Sequence, residues 1–159
     1  MEQTTDEDVI HFSVGDNGGY TANEYFTMRG PRLEVLNSGN SVFIGEGAGA
    51  ADNLGTNRNS FIGFNAGASN TSGANGVALG ANALENNTTG NWNIAIGYSA
   101  MNGNIAGGLN IAIGGHALDA NSAGSNNIAM GVHAMSDNTI GSSNVAVGAN
   151  SMADNISGH

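Results

Sequence analysis

Apolar and polar positions in this chain recur on a fixed period. From Asn40 onward a short apolar stretch, aliphatic–Ala–aliphatic in most copies, is followed by Gly and then by a polar segment rich in Asn, Ser and Gly. The closing glycines are Gly45, Gly63, Gly80, Gly97, Gly114, Gly131 and Gly148, spaced 18 residues once and 17 residues five times. A second glycine column, ten residues on, runs through Gly55, Gly73, Gly90, Gly107, Gly124, Gly141 and Gly158. Three successive copies between Asn93 and Ser143 make the unit plain: NIAIGYSAMNGNIAGGL, NIAIGGHALDANSAGSN and NIAMGVHAMSDNTIGSS. A constant period of this length marks a stacked-repeat architecture in which no unit buries its apolar face alone.

The apolar run is too short for a helix, is rich in β-branched residues and is bounded by Asn and Gly, so it reads as a strand. Each 17-residue unit is expected to supply two short strands and two turns, one rung of a parallel β-solenoid. Alternation assigns the columns. Residues one before the glycine (Ile44, Ile62, Leu79, Ile96, Ile113, Met130, Val147) and three before it (Val42, Ser60, Val77, Ile94, Ile111, Ile128, Val145) are expected to fill the interior. The column between them (Phe43, Phe61, Ala78, Ala95, Ala112, Ala129, Ala146) is then expected to face outward, onto a partner. A second core column lies four after the glycine: Gly49, Gly67, Leu84, Met101, Leu118, Met135, Met152. Seven after it stand Asp52 and then Asn70, Asn87, Asn104, Asn121, Asn138 and Asn155, placed to hydrogen-bond from rung to rung.

Residues 1–39 break the pattern. They hold nine of the 16 charged residues and the one proline, Pro31. Val9–Val14, Glu24–Gly30 and Arg32–Asn37 read as short strands around turn signals, so a small N-terminal β cap is expected ahead of the 40–159 solenoid. The fold expected is all-β: a parallel solenoid of about seven rungs with a small cap.

Composition narrows the partners. Lys is absent, Arg is 3 and the net charge is −10, so the cations that neutralise phosphates are missing and nucleic acid is not expected. No run is long and apolar enough for a membrane-spanning helix, and direct membrane insertion is not expected. The acidic opening MEQTTDEDVI is not a secretory signal. Twenty-five asparagines and 26 glycines supply residues that tolerate left-handed backbone in turns.

The motif at Asn93–Ala100, Asn110–Ala117, Asn127–Ala134 and Asn144–Ser151 resembles the head repeat of YadA-like trimeric autotransporter adhesins. The 17-residue form, with ALENNTTGNWN at 83–93 and RGPRLEVLNSGNSVFIGEGAG at 29–49, is also similar to repeats of phage tail-fibre proteins and bacterial secreted proteins. The resemblance covers about three quarters of the chain. It implies a left-handed β-roll, a homotrimer, and an extracellular or virion-borne fibre that adheres to a cell or glycan.

Candidate chemistry is sparse. Tyr20, Tyr25, Phe64, Trp92 and Tyr98 are candidate contacts for a sugar or receptor, with Phe64 and Tyr98 sharing the column one after the glycine. His116 and His133 share the next column and are the candidate metal ligands, though a zinc site normally takes three or four. Glu85, Asp119, Asp137 and Asp154 read as a solvated acidic edge. Asn70, Asn86, Asn87 and Asn155 head N-x-S/T sequons. No Cys nucleophile, distinctive carboxylate pair or Ser–His–Asp arrangement appears, and neither an enzyme nor a cofactor is expected. The glycine and asparagine columns are expected to be structural. Because the sequence stops with its last rung unfinished, end-to-end stacking into a filament is the alternative expectation.

Overall fold

A computed structural model of the chain describes residues 25–29 and 32–36 as backbone and residues 39–158 in full. Two strands, β1 (Tyr25–Arg29) and β2 (Arg32–Leu36), pair antiparallel with Tyr25 opposite Leu36. Both strands were expected there, and their antiparallel pairing is supplied by the structure; Val9–Val14 and Tyr20 lie outside the described residues. Seven three-residue strands follow: β3 (Val42–Ile44), β4 (Ser60–Ile62), β5 (Val77–Leu79), β6 (Ile94–Ile96), β7 (Ile111–Ile113), β8 (Ile128–Met130) and β9 (Val145–Val147). They lie side by side in sequence order in one parallel sheet. Every pairing is in register at the repeat, Ile94 opposite Ile111 and Ala95 opposite Ala112. This is a parallel β-solenoid, with one connecting turn region per step.

Each repeat contributes one strand, not the two expected. The rest of the unit is a chain of turns, because several of its residues sit in the left-handed region. The column two after the glycine (Asn65, Asn82, Ser99, His116, His133, Asn150) and the column four after (Leu84, Met101, Leu118, Met135, Met152) all have φ near +50 to +58°. Such residues cannot extend into a strand. Their backbone groups are still paired between rungs, as in Leu84 N–H to Ala100 O at 3.0 Å and Met101 N–H to Ala117 O at 2.9 Å.

The facing of the strand is the reverse of the expectation. Ala78, Ala95, Ala112 and Ala129 are fully buried and Phe61 is 1% exposed. The aliphatic columns beside them face outward: Ile44 is 46% exposed, Leu79 46%, Val145 62% and Val147 68%, and Ile94, Ile96, Ile111 and Ile113 are half-buried. The cause is the narrow interior. The inward strand residue shares the lumen with the side chain four after the glycine, so their volumes must be complementary. Where the strand carries Phe43 or Phe61, the partner position is Gly49 or Gly67; where it carries Ala, the partner is Leu or Met. A Cβ on Gly67 would run into the Phe61 ring. Phe43 and Phe61 lie against each other with centroids 5.6 Å apart. A second pair of large aliphatics does not fit inside.

Two asparagine columns complete the interior. Asn87, Asn104, Asn121 and Asn138 are each at most 2% exposed and donate from Nδ2 to Oδ1 of the preceding rung at 2.7–3.0 Å. Each also donates to the glycine carbonyl three residues on, as Asn104 does to Gly107 at 3.0 Å. The second column, Asn59, Asn93, Asn110, Asn127 and Asn144, bonds the next rung's backbone: Asn93 Nδ2 reaches Gly107 O at 2.8 Å and Asn93 Oδ1 takes the Asn110 N–H at 3.0 Å. It has two exceptions: Ser41, whose Oγ takes the Asn59 N–H at 2.9 Å, and Gly76, which lies beside the Phe61 ring and whose N–H is taken by Asn59 Oδ1 at 2.8 Å. The rungs approach so closely at the strand-closing glycines that a Cβ on Gly80 (φ +136°) would lie 2.6 Å from Gly97 O.

Candidate functional site

The outward face of the sheet is an exposed, mostly aliphatic surface. It carries the two aliphatic columns of β3 to β9, broken by one polar residue, Ser60. Adjacent strands are about 4.8 Å apart, so six steps make a stripe about 29 Å long. Its middle strands are half-buried by their neighbours and its ends more exposed. Charge is kept off it. From residue 59 to 158 the ionised side chains are Glu85, Asp119, Asp137 and Asp154, all five or six residues after a strand-closing glycine, on the turn segment that follows the strand. A contiguous apolar surface with charge segregated elsewhere is the mark of an interaction surface.

The aromatic candidates do not converge. Phe64 is 52% exposed and Tyr98 57%, in one column but with Ala81 on the rung between them. Trp92, 59% exposed, precedes β6 while Tyr98 follows it, so the strand separates them. Of Tyr25 the backbone alone is described, and Tyr20 lies outside the described residues.

The two histidines do come together. Their rings are parallel to within 3° with centroids 5.0 Å apart, and Tyr98 meets His116 edge-on at 5.3 Å. His116 Nδ1 and Asp119 Oδ2 are 2.9 Å apart. A metal ion lies in the plane of each imidazole it binds, and two stacked parallel planes do not converge on one ion. Among the described residues no group of three or more His, Cys, Asp or Glu is placed to hold a metal. The acidic residues make local bonds: Glu85 Oε2 accepts from Asn102 Nδ2 at 2.8 Å.

Asp52 plays a part the sequence hinted at only by its place at the head of the asparagine column. Its Oδ2 accepts from Asn59 Nδ2 and Asn70 Nδ2, both at 3.1 Å, and its Oδ1 from Asn57 Nδ2 at 2.9 Å and Leu54 N–H at 2.8 Å. Every ladder amide donates toward lower residue numbers. A carboxylate at that end accepts and has nothing left to donate, so it closes the ladder. The sequons divide by burial. Asn70 and Asn87 are buried with Nδ2 committed to the ladder, and Asn155 Nδ2 reaches Asn138 at 3.3 Å. Asn86 is exposed, bonded to Asn102 Oδ1 at 3.1 Å.

Comparison of the chain with protein-family models, with curated proteins and with solved structures finds no match. Among the described residues no helix is long and apolar enough to cross a membrane.

Proposed function

We propose that this chain is a structural, adhesive segment of an extracellular or virion-borne fibre: it assembles as a homotrimer and presents a binding surface to a cell or glycan, without enzymatic activity. The observation that carries the reading is the outward aliphatic face of the seven-stranded sheet. Leaving Ile44, Leu79, Val145 and Val147 in water forfeits roughly 25 cal/mol per Å² of apolar surface that a second copy would cover. Three copies around an axis parallel to the stack would enclose three such stripes. The flat Ala column is spent inside the protomer, so the interface is built from Ile, Val and Leu side chains. The resemblance of the Asn–aliphatic–Ala–aliphatic–Gly units to trimeric adhesin heads and tail-fibre repeats supports the same assignment.

End-to-end stacking into a filament is less well supported. A second copy whose terminal asparagine approached the Asp52 end would set an amide oxygen against a carboxylate, with no hydrogen between them. Light scattering after size exclusion, over a concentration series, tests the assignment. A constant mass near three times 15.9 kDa is expected. A monomer, or a mass that grows with concentration, would overturn it.

A further inference from the structure

The column one before the buried asparagines runs Arg58, Asn75, Trp92, Leu109, Asn126, Ser143, and every member is left-handed, with φ between 55 and 63°. Consecutive members are held in register by the backbone: Trp92 N–H to Ala74 O at 2.9 Å, Leu109 N–H to Asn91 O at 2.9 Å, Asn126 N–H to Gly108 O at 3.1 Å. Asn is the inexpensive occupant of such a position, because its short polar side chain tolerates the left-handed region. Two rungs carry Trp and Leu instead, and both side chains stay in water, Trp92 59% and Leu109 57% exposed. These residues are unfavourable twice over, in backbone conformation and in exposure, and the fold covers less than half of either in return. An outlier of that kind points to function.

We propose that Trp92 and Leu109 form the binding platform for a neutral saccharide, which rests on the reading that the array presents a surface to a glycan. A sugar ring offers an apolar C–H face and a rim of hydroxyls. The indole matches the first, and the amides around it match the second. Asn75 and Asn126 flank the pair in the same column, one rung away on each side. Asn91 is exposed and uses its Oδ1 to accept the Ala74 N–H at 2.8 Å, which leaves its Nδ2 as a donor toward solvent. Between Asn75 and Ser143 the column holds no ionised group, so nothing there selects an acidic sugar or a phosphate. The amides at the two ends are three rungs apart, about 14 Å, so the strip suits a short oligosaccharide better than a single ring.

Trp92 is the sole tryptophan, so the intrinsic fluorescence of the full chain reports on this position alone. Titration with neutral oligomers of glucose, galactose and N-acetylglucosamine is expected to give a saturable change in emission with at least one of them. Retention on a surface carrying that oligomer is expected to fall about tenfold or more in Trp92→Asn and in Leu109→Asn. The denaturation midpoint of both variants is expected to stay or rise, because Asn suits the backbone. That pairing separates a binding role from a structural one. Emission that answers only to protein concentration would make the ridge a contact between copies and overturn the proposal. Undiminished saccharide binding in Trp92→Asn would overturn this site while leaving the glycan reading of the array intact. No response to any neutral saccharide would overturn both, and the trimer, read by mass, would stand apart.

Discussion

The complementarity between the inward strand residue and the residue four after the glycine is open to a double substitution. Phe61 is 1% exposed, and Gly67 has no side chain because the Phe61 ring occupies its space. Phe61→Ala alone leaves an apolar void beside a glycine and is expected to cost about 3–5 kcal/mol. Gly67→Leu alone drives a side chain into the ring, costing about 1–3 kcal/mol for overpacking, with roughly 1–2 kcal/mol more for a non-glycine residue at φ +59°. Together they rebuild the rung in the pattern of its neighbours, where Ala78 sits with Leu84 at φ +52° and Ala112 with Leu118 at φ +52°. The double variant keeps the left-handed cost and loses the Phe43–Phe61 contact, about 1 kcal/mol. It is therefore expected about 2–3 kcal/mol below the parent, against roughly 5–10 kcal/mol if the single effects were additive. Urea unfolding followed by circular dichroism at two wavelengths reads the difference and checks that one transition is being compared. A double variant as unstable as the sum of the singles would refute the shared lumen.

Three further predictions follow from the same geometry. Asn104→Ala, in mid-ladder, leaves buried Asn87 Oδ1 without its ladder donor, Asn121 Nδ2 without its ladder acceptor and Gly107 O with one donor in place of two, and is expected to cost about 3 kcal/mol; the same change at Asn155, on the last rung, is expected to cost well under half of that by urea midpoint. Gly80→Ala sets a Cβ 2.6 Å from Gly97 O at φ +136° and is expected to lower stability by at least about 2 kcal/mol, seen as a lower thermal midpoint. Ile113→Glu puts a charge on the outward face of β7 and is expected to yield a folded 15.9 kDa monomer by light scattering with its circular dichroism retained, whereas Ala112→Leu, one residue away, is expected to lose the fold signal first.

The period, with its one 18-residue spacing, the parallel order of the strands and both asparagine columns were legible in the sequence, because a repeat prints its contacts as columns. The strands Tyr25–Arg29 and Arg32–Leu36 were legible from their residues, though not their antiparallel pairing. Facing was not read correctly, since alternation fixes which residues share a side of a strand and says nothing about which side is the core. The sign was available in a second correlation. Phe43 pairs with Gly49 and Phe61 with Gly67, and each later Ala pairs with Leu or Met, which requires the two positions to compete for one space. A second strand per rung was expected and does not form: Leu and Met at Leu84, Met101, Leu118 and Met135 look like strand residues, while their backbone is left-handed. Trp92 was named among scattered aromatics. What singles it out is an exposed indole beside an exposed Leu109 in a left-handed column whose neighbouring rungs carry Asn75 and Asn126, a juxtaposition that no composition reveals.

The chain has no cysteine, so a single introduced thiol reports on one position. The most direct measurement compares Ile111→Cys with Ala112→Cys under mild oxidation on a non-reducing gel, with thiol labelling of the folded protein beside it. With Ile111 outward on the face proposed to be shared between copies and Ala112 fully buried, the first is expected to give chain-linked dimers and the second to remain unlinked and unlabelled until unfolding. Linking or ready labelling at Ala112, with none at Ile111, would contradict both the facing of the sheet and the interface built on it.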